Sequence, residues 1–373
     1  MVATVFINTK CQLRCRYCFG WDDKDSDDKL LSLDGAARLF DAFRDRGVRY
    51  LTLTGGEPFL HPDFRAIVAL AHERGFWITV LTNALAVDSS LVDFLAGFWR
   101  LQVRVSLEGA DPESHDYFRG RGNFARALRG LDALVAGGVQ VGVGLTIYEE
   151  NREQVEPVVR LCVERGCATL RVVPVVRIER GRDAVTSLDL YRGILADLIR
   201  ATIEHPERIA LKDGPPVPLE PLLSRQCIAG TGFVGVEHDL TMLPCSLIRF
   251  ADGIPKRTFR EASDLDAFAV EMREYFAALS PGGSGRCAGC EFLAACRGGC
   301  PGEKLSFGLG PGDGQPVCVK DLVSEAMREF PAERVRRVAA SWVADLCSAE
   351  ERGSQGYCSR QAPFWKLSFK RSR

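Results

Sequence analysis

From residue 1 to about 205 the chain alternates two kinds of pattern. Short β-branched or apolar runs occur at 3–7 ("ATVFI"), 50–54 ("YLTLT"), 77–81 ("WITVL"), 101–107 ("LQVRVSL"), 139–147 ("VQVGVGLTI") and 169–176 ("TLRVVPVV"), and each predicts a strand. The segments between them carry apolar residues every three or four positions. In 32–46, Leu33, Ala36, Ala37, Phe40 and Phe43 follow that rule behind Ser32, a candidate N-cap. Segments 62–75, 88–98, 122–137 and 151–165 read as helices in the same way, with Gly47, Gly75, Gly137 and Gly166 where helices stop. Six strand–helix units in strict alternation predict an α/β fold of parallel strands joined by right-handed crossovers. Periodicity alone does not separate an open sheet from a partial barrel.

One more helix is predicted over 187–204, and then "LKDGPPVPLEP" (211–221) breaks the alternation. This divides the chain into residues 1–210, a Gly-, Cys- and Pro-rich segment 211–325, and a C-terminal part 326–373. Residues 320–347 look helical again, and the last stretch reads as an irregular, basic tail that docks or frays.

With 373 residues, 46% of them hydrophobic, the chain is long enough to bury a large core. Its net charge of −1 gives no reason to expect nucleic acid or an anionic membrane as partner. No run of eighteen apolar residues is present, and "MVATVFINTKC" lacks the features of a secretory signal, so a cytoplasmic protein is expected. Fourteen cysteines in a reducing compartment then argue for metal or catalytic sulfur rather than disulfides. Ten of them fall into two groups; Cys162, Cys167, Cys347 and Cys358 are scattered and read as small buried hydrophobes.

The first group, Cys11, Cys15 and Cys18, lies in "NTKCQLRCRYCFG" (8–20) just after the first strand. Three thiolates on one loop can hold three irons of a 4Fe–4S cluster and leave the fourth open to an outside ligand. A zinc site or chance clustering is the alternative, but zinc prefers paired spacings and no histidine is close by.

This loop resembles the signature of the radical S-adenosylmethionine (SAM) superfamily, C-x3-C-x-aromatic-C, with Tyr17 at the aromatic position. "LTGGEP" (53–58) after the second strand strengthens the likeness. Gly55 and Gly56 would allow close backbone approach, Glu57 offers an acceptor for an ammonium, and Pro58 completes the motif. The resemblance implies that this motif meets the SAM amino group. "TNA" (82–84) stands where the family often has Thr-Asn-Gly, which makes Thr82 and Asn83 candidates for the SAM site. "SLEGADPESHDYFRG" (106–120) is similar to the family's Ser-Leu-Asp-Gly segment, with Glu108 in place of the usual acid. It implies that Ser106 and Arg119 bind SAM, at its carboxylate end. The fold implied is a partial (β/α)6 barrel, followed by a small cysteine-rich iron–sulfur domain and a C-terminal helix. The chemistry implied is reductive cleavage of SAM to a 5′-deoxyadenosyl radical that abstracts a substrate hydrogen.

"CAGCEFLAACRGGC" (287–300), with Cys227, Cys245 and Cys318, resembles the SPASM extension of radical SAM enzymes. A zinc ribbon would leave three of these thiols over. By position, Cys287, Cys290, Cys296 and Cys318 would close one auxiliary iron–sulfur cluster, and Cys227, Cys245 and Cys300 would hold another. That leaves one iron of the latter without an assigned cysteine. The chain departs from the family at Phe233, where some members have a further cysteine, and at Leu240, where the pattern has glycine. The iron is then open, or bound by a non-cysteine ligand near Glu237, His238 and Asp239, or reached by a tail thiol. The closed cluster reads as an electron relay.

The function this implies is a peptide or protein maturase, served by a one-electron donor such as flavodoxin or ferredoxin. The same chemistry on a small molecule (a tetrapyrrole, sugar or antibiotic precursor) is the alternative. Ser246 stands where the sulfatase-maturing branch commonly has an acid. With ten residues before Cys11, the leader-binding domain of some peptide maturases is not expected at the amino terminus. A non-enzymatic iron–sulfur carrier or zinc-stapled module would not need the GGEP motif. "WDDKDSDDK" (21–29) reads as a solvated acidic loop, and Arg171 and Arg177 are as readily surface residues as substrate contacts. No acid, base or radical relay residue stands out.

Overall fold

The structure, a computed structural model, describes residues 1–18, 28–175, 181, 183–184, 187–210, 229–230, 232–245, 254–278, 287–290, 304, 309, 318–343 and 365–369. The six expected strands are present as β1 (Val2–Phe6), β2 (Tyr50–Thr54), β3 (Trp77–Thr82), β4 (Leu101–Ser106), β5 (Gln140–Ile147) and β6 (Thr169–Pro174). Each pairs in parallel with the next, from β1 to β6. β1 and β6 do not pair with each other, so the six parallel strands stay open, as in a partial barrel.

The crossovers are helical where the apolar spacing predicts. They are α1 (Leu33–Asp45), α2 (Phe64–Glu73), α3 (Ser89–Ala96), α4 (Pro112–Arg119), α5 (Asn123–Ala136), α6 (Val155–Glu164) and α7 (Leu188–Glu204). Ser32 caps α1 by accepting from the Gly35 N–H, satisfying one of the donors that a helix start leaves free. Helix α4 is an addition that the spacing does not predict. Its eight residues are mostly polar, and Asp111 caps it by accepting from the Ser114 N–H. The inner faces of the helices pack Leu39, Phe40, Phe43, Ile67, Leu131 and Val158 against the strand residues Val5, Leu53, Val80, Val103 and Val143, all fully buried. This core fixes the strands, and with them the loops at their carboxyl ends.

Both edges of the sheet are extended by later chain. β8 (Phe233–Val236) lies parallel to β1 and carries β9 (Thr241–Leu243) and β10 (Arg257–Thr258) antiparallel beyond it. At the far edge β11 (Trp365–Phe369) runs antiparallel to β6 and also pairs with β7 (Ile209–Ala210). The tail, expected to be irregular, therefore contributes a strand. Helix α8 (Ala262–Ala278) follows β10, and α9 (Val319–Glu329) and α10 (Ala332–Val343) bring Leu322, Val323, Val335 and Val338 into the core. Phe233 is 3% exposed, so that position serves the sheet. Among the described residues, no helix is long and apolar enough to cross a membrane.

Candidate active site at the carboxyl ends of the strands

The cysteine loop leaves β1 and is tied down by backbone pairing. Gly56 N–H donates to the Asn8 carbonyl at 2.9 Å and Glu57 N–H to the Lys10 carbonyl at 2.7 Å. A Cβ on Gly55 would come within 2.4 Å of the Asn8 oxygen, and one on Gly56 within 2.2 Å of the Lys10 oxygen. Gly55 also sits at φ 151°. The glycine pair is thus demanded by the cysteine loop itself, which lies directly upon it.

Glu57, expected to offer an acceptor to an ammonium, has its carboxylate engaged within the protein. It is 1% exposed, and its carboxylate accepts from Thr82 Oγ1 at 2.7 Å, Asn83 N at 2.8 Å and Phe59 N at 3.2 Å. Burial pushes its pKa up to about 7, against the pull of those donors. Glu57 therefore cross-links the ends of β2 and β3. Pro58 opens the short 3-10 turn that supplies the Phe59 donor.

Thr82 and Asn83 belong to the same cross-link. Asn83 Oδ1 accepts from Gln12 Nε2 at 3.1 Å, and its Nδ2 lies 3.9 Å from Cys11 Sγ. Through them the third strand braces the cysteine loop. Ala84, which follows, has φ 60°, and Leu240 has φ 68°; these are the non-glycine residues with left-handed backbone among those described. Both stand where the family pattern has glycine, so the turn geometry persists without the residue that adopts it most easily.

Of the three loop thiols, Cys15 is buried, Cys18 partly buried and Cys11 exposed as a residue. Burial pushes the Cys11 thiol up to about 12, and nearby Glu57, Cys15 and Cys18 add to the rise; burial likewise raises Cys15. Metal binding displaces such protons. The three thiols fit an iron–sulfur cluster. They sense one another's charge, yet they are not a set of ligand atoms all within 4.8 Å; among the described residues that set is Glu156, Glu204 and His205. Ligands of one ion must converge so closely, whereas a cluster carries each thiolate on a separate iron.

The other wall is built on Glu108, just beyond β4. It is fully buried, and Oε1 accepts from Arg119 Nε at 2.9 Å and Nη2 at 2.8 Å. Tyr17 Oη also bonds to Oε1 and to Arg119, while the Thr146 N–H donates to Oε2 at 2.9 Å. Arg119 is held above its ordinary pKa: burial works against the charge, and Tyr17 and Glu108 outweigh it. The guanidinium expected to be free for SAM is thus already paired along one edge. Tyr17 packs on Phe118 and Tyr148, with ring centroids 5.9 and 5.4 Å away, and the Arg16 N–H donates to the Phe118 carbonyl at 2.9 Å. Ser106 ends β4, partly buried and in register with Gly144.

Sequence reasoning missed three supports of this wall. Asn151 Nδ2 donates to the Glu108 and Thr146 carbonyls at 2.8 and 2.9 Å. His115 Nδ1 accepts from the Glu108 N–H at 3.3 Å, and burial lowers its pKa to about 3. Among the described residues the Tyr148 hydroxyl has no partner; it is buried beside the Tyr17 ring, so a polar ligand atom would be well received there. A lone Asn and His inside polar segments carry no distinctive spacing. Of the later cysteines, Cys245, Cys287, Cys290 and Cys318 are partly buried and in no disulfide, while Cys227, Cys296 and Cys300 lie outside the described residues, as do Cys347, Cys358, Arg177 and Ser246. Cys162 and Cys167 are buried, and neither belongs to the cysteine loop. A groove of about 500 Å³ between α5 and α6 lies on the helical layer, lined by Phe124, Leu128 and Arg160.

A cysteine loop braced from β2 and β3, at the carboxyl edge of a parallel partial barrel, defines a class. Residues 5–162 match the model of the Radical SAM superfamily, so the chain carries a radical SAM domain and is an enzyme. Its relatives include the AdoMet-dependent heme synthase of Nitratidesulfovibrio vulgaris, 24% identical over 340 residues, or 84% of this chain and 90% of that protein. They also include the mycofactocin maturase MftC of Mycobacterium ulcerans, 28% identical over 342 residues, or 87% of this chain and 90% of that protein. Among solved structures, Streptococcus suis SuiB bound to S-adenosylmethionine shares the fold. The TM-score is 0.66 at 18% identity, over 84% of this chain and 75% of that one.

Proposed function

We propose that this chain is a radical SAM peptide maturase. The observation that carries the reading is the alignment with mycofactocin maturase, which spans 87% of this chain and so runs well past the barrel into the segment of the later cysteines. SuiB, whose fold this chain shares, is known bound to its precursor peptide SuiA. In this reading Cys11, Cys15 and Cys18 hold the 4Fe–4S cluster, and Tyr17, Ser106, Arg119 and the 55–58 loop surround SAM. When bound, the cluster and SAM supply a 5′-deoxyadenosyl radical. The protein's own task is to hold the loop rigid, orient both partners and exclude water. Segment 211–325 is the auxiliary-cluster domain, with Cys227, Cys245 and Cys300 on one cluster and Cys287, Cys290, Cys296 and Cys318 on the other. A flavodoxin or ferredoxin in the cytoplasm serves as electron donor.

The similarity to heme synthase, of comparable extent, favours one second reading: the same chemistry on a tetrapyrrole. The test is 5′-deoxyadenosine formation by anaerobically reconstituted protein under dithionite, with a short peptide encoded beside it or with a tetrapyrrole. The expected result is product with the wild type, stimulated by the peptide, and none with Cys15→Ala. Stimulation by the tetrapyrrole alone would move the assignment to the second reading. Iron and sulfide amounting to one cluster, in place of three, would remove the auxiliary domain from it.

A further inference from the structure

Glu108 joins four segments that approach the cysteine loop from different sides. Its carboxylate takes Arg119 from the end of α4, Tyr17 from the loop and the Thr146 amide from β5. Its own backbone is held at both ends, by His115 and by Asn151 from the turn after β5. Its side chain has no exposure to solvent, and that of Arg119 has 11%.

A buried ion pair is weak evidence of a stability role, because apolar residues of like volume often hold a fold as well. What this pair does is set orientation. Glu108 occupies the Nε and Nη2 edge of the guanidinium, while Nη1 has no hydrogen bond among the described residues. The guanidinium carbon also lies 5.5 Å from the centroid of the Tyr17 ring, one position before Cys18. A planar fork with one edge anchored presents the remaining N–H groups in a fixed direction, which suits a carboxylate. An unanchored arginine would first have to give up rotamer freedom. The side chain is long enough to reach Arg119, Tyr17 and the Thr146 amide at once; aspartate, one methylene shorter, would have to release one of them.

We propose that Glu108 is a positioning residue for the carboxylate of SAM. It acts through Arg119, whose Nη1 receives that carboxylate, and through Tyr17, which links the receiving arginine to the cysteine loop. The proposal rests on the radical SAM reading. Its consequence is that SAM affinity depends on a residue that need not touch SAM.

The test is equilibrium dialysis of SAM against the iron-loaded full chain without reductant, together with the EPR spectrum of the reduced cluster with and without SAM. Wild type should bind SAM and show a SAM-dependent change in the spectrum. Glu108→Gln should weaken binding tenfold or more and diminish that change at unaltered iron content. Glu108→Asp, which keeps the charge, should recover part of the affinity. Tyr17→Phe removes one hydroxyl and should weaken binding about threefold, and the double variant Tyr17→Phe/Glu108→Gln should be no worse than Glu108→Gln alone. A Glu108→Gln protein that binds SAM within twofold of wild type overturns the proposal. If that variant does not fold or load iron, Tyr17→Phe decides, and unchanged SAM affinity there overturns it equally. A wild type that shows a cluster signal but binds no SAM overturns the radical SAM reading, and the proposal with it.

Discussion

Glu57 and Glu108 stand just past the ends of β2 and β4 and are equally hidden from water, yet they are held in opposite ways. Glu57 meets two backbone N–H groups and a hydroxyl, all neutral, and burial lifts its pKa to about 7. Glu108 meets a guanidinium at 2.8 Å. Burial alone therefore does not set the role of an acid; the charge of its donors does. Near neutrality Glu57 can carry a proton and act as a strut between strands, whereas Glu108, Arg119 and Tyr17 form a charged unit whose members hold one another in place.

The contrast is tested most severely by taking away the counter-charge. Arg119→Met leaves Glu108 buried and unpaired, with an expected loss of about 3–5 kcal/mol. The matching change on the other side, Glu57→Gln, should cost only about 1 kcal/mol. Urea midpoints of the two variants measure the contrast, and equal losses would show that the two acids are held alike.

The Glu57 side can be strained from behind. A Cβ on Gly130 of α5 would come within 2.2 Å of the Ala84 carbonyl, so Gly130→Ala must push the 82–84 turn away from Glu57. A destabilisation of about 1–3 kcal/mol is expected, with lowered iron content because Asn83 also braces Cys11. Thermal melting and iron analysis check it, and unchanged values of both would mean that the turn gives way freely.

His115 supplies a pH test on the Glu108 side. Its folded pKa of about 3 lies below the usual 6.5, so only the unfolded chain takes up a proton between those values. Its contribution is fully present above pH 6.5 and is lost as pH falls, by about 2 kcal/mol at pH 5. His115→Phe should flatten that part of the acid limb in a series of melts from pH 7 to pH 4.5. The smallest effect is expected from Thr82→Val, which removes one of Glu57's three donors and should cost about 1 kcal/mol by the same denaturation.

Much of this site is legible in the amino-acid sequence. The cysteine spacing, the GGEP turn and the six alternating units all express local rules, in which period and turn chemistry act within a few residues of each other. The glycines were legible as necessary, but not the contact that requires them, because the loop that presses on Gly55 and Gly56 comes from almost fifty residues earlier. Ala84 and Leu240 show the converse. Their sequence departs from the expected glycine, while the surrounding strands impose the left-handed turn all the same.

Short-range spacing along the chain was enough to set the order of strands and helices, the position of the cysteine loop and the class of chemistry. Which groups meet was settled by the folded arrangement: Glu57 turns inward, Arg119 is anchored to Glu108, and β8 and β11 extend the sheet's two edges. Such contacts join residues tens to hundreds of positions apart. Their energies come from burial and from pairing across the fold, and no local pattern along the chain records either.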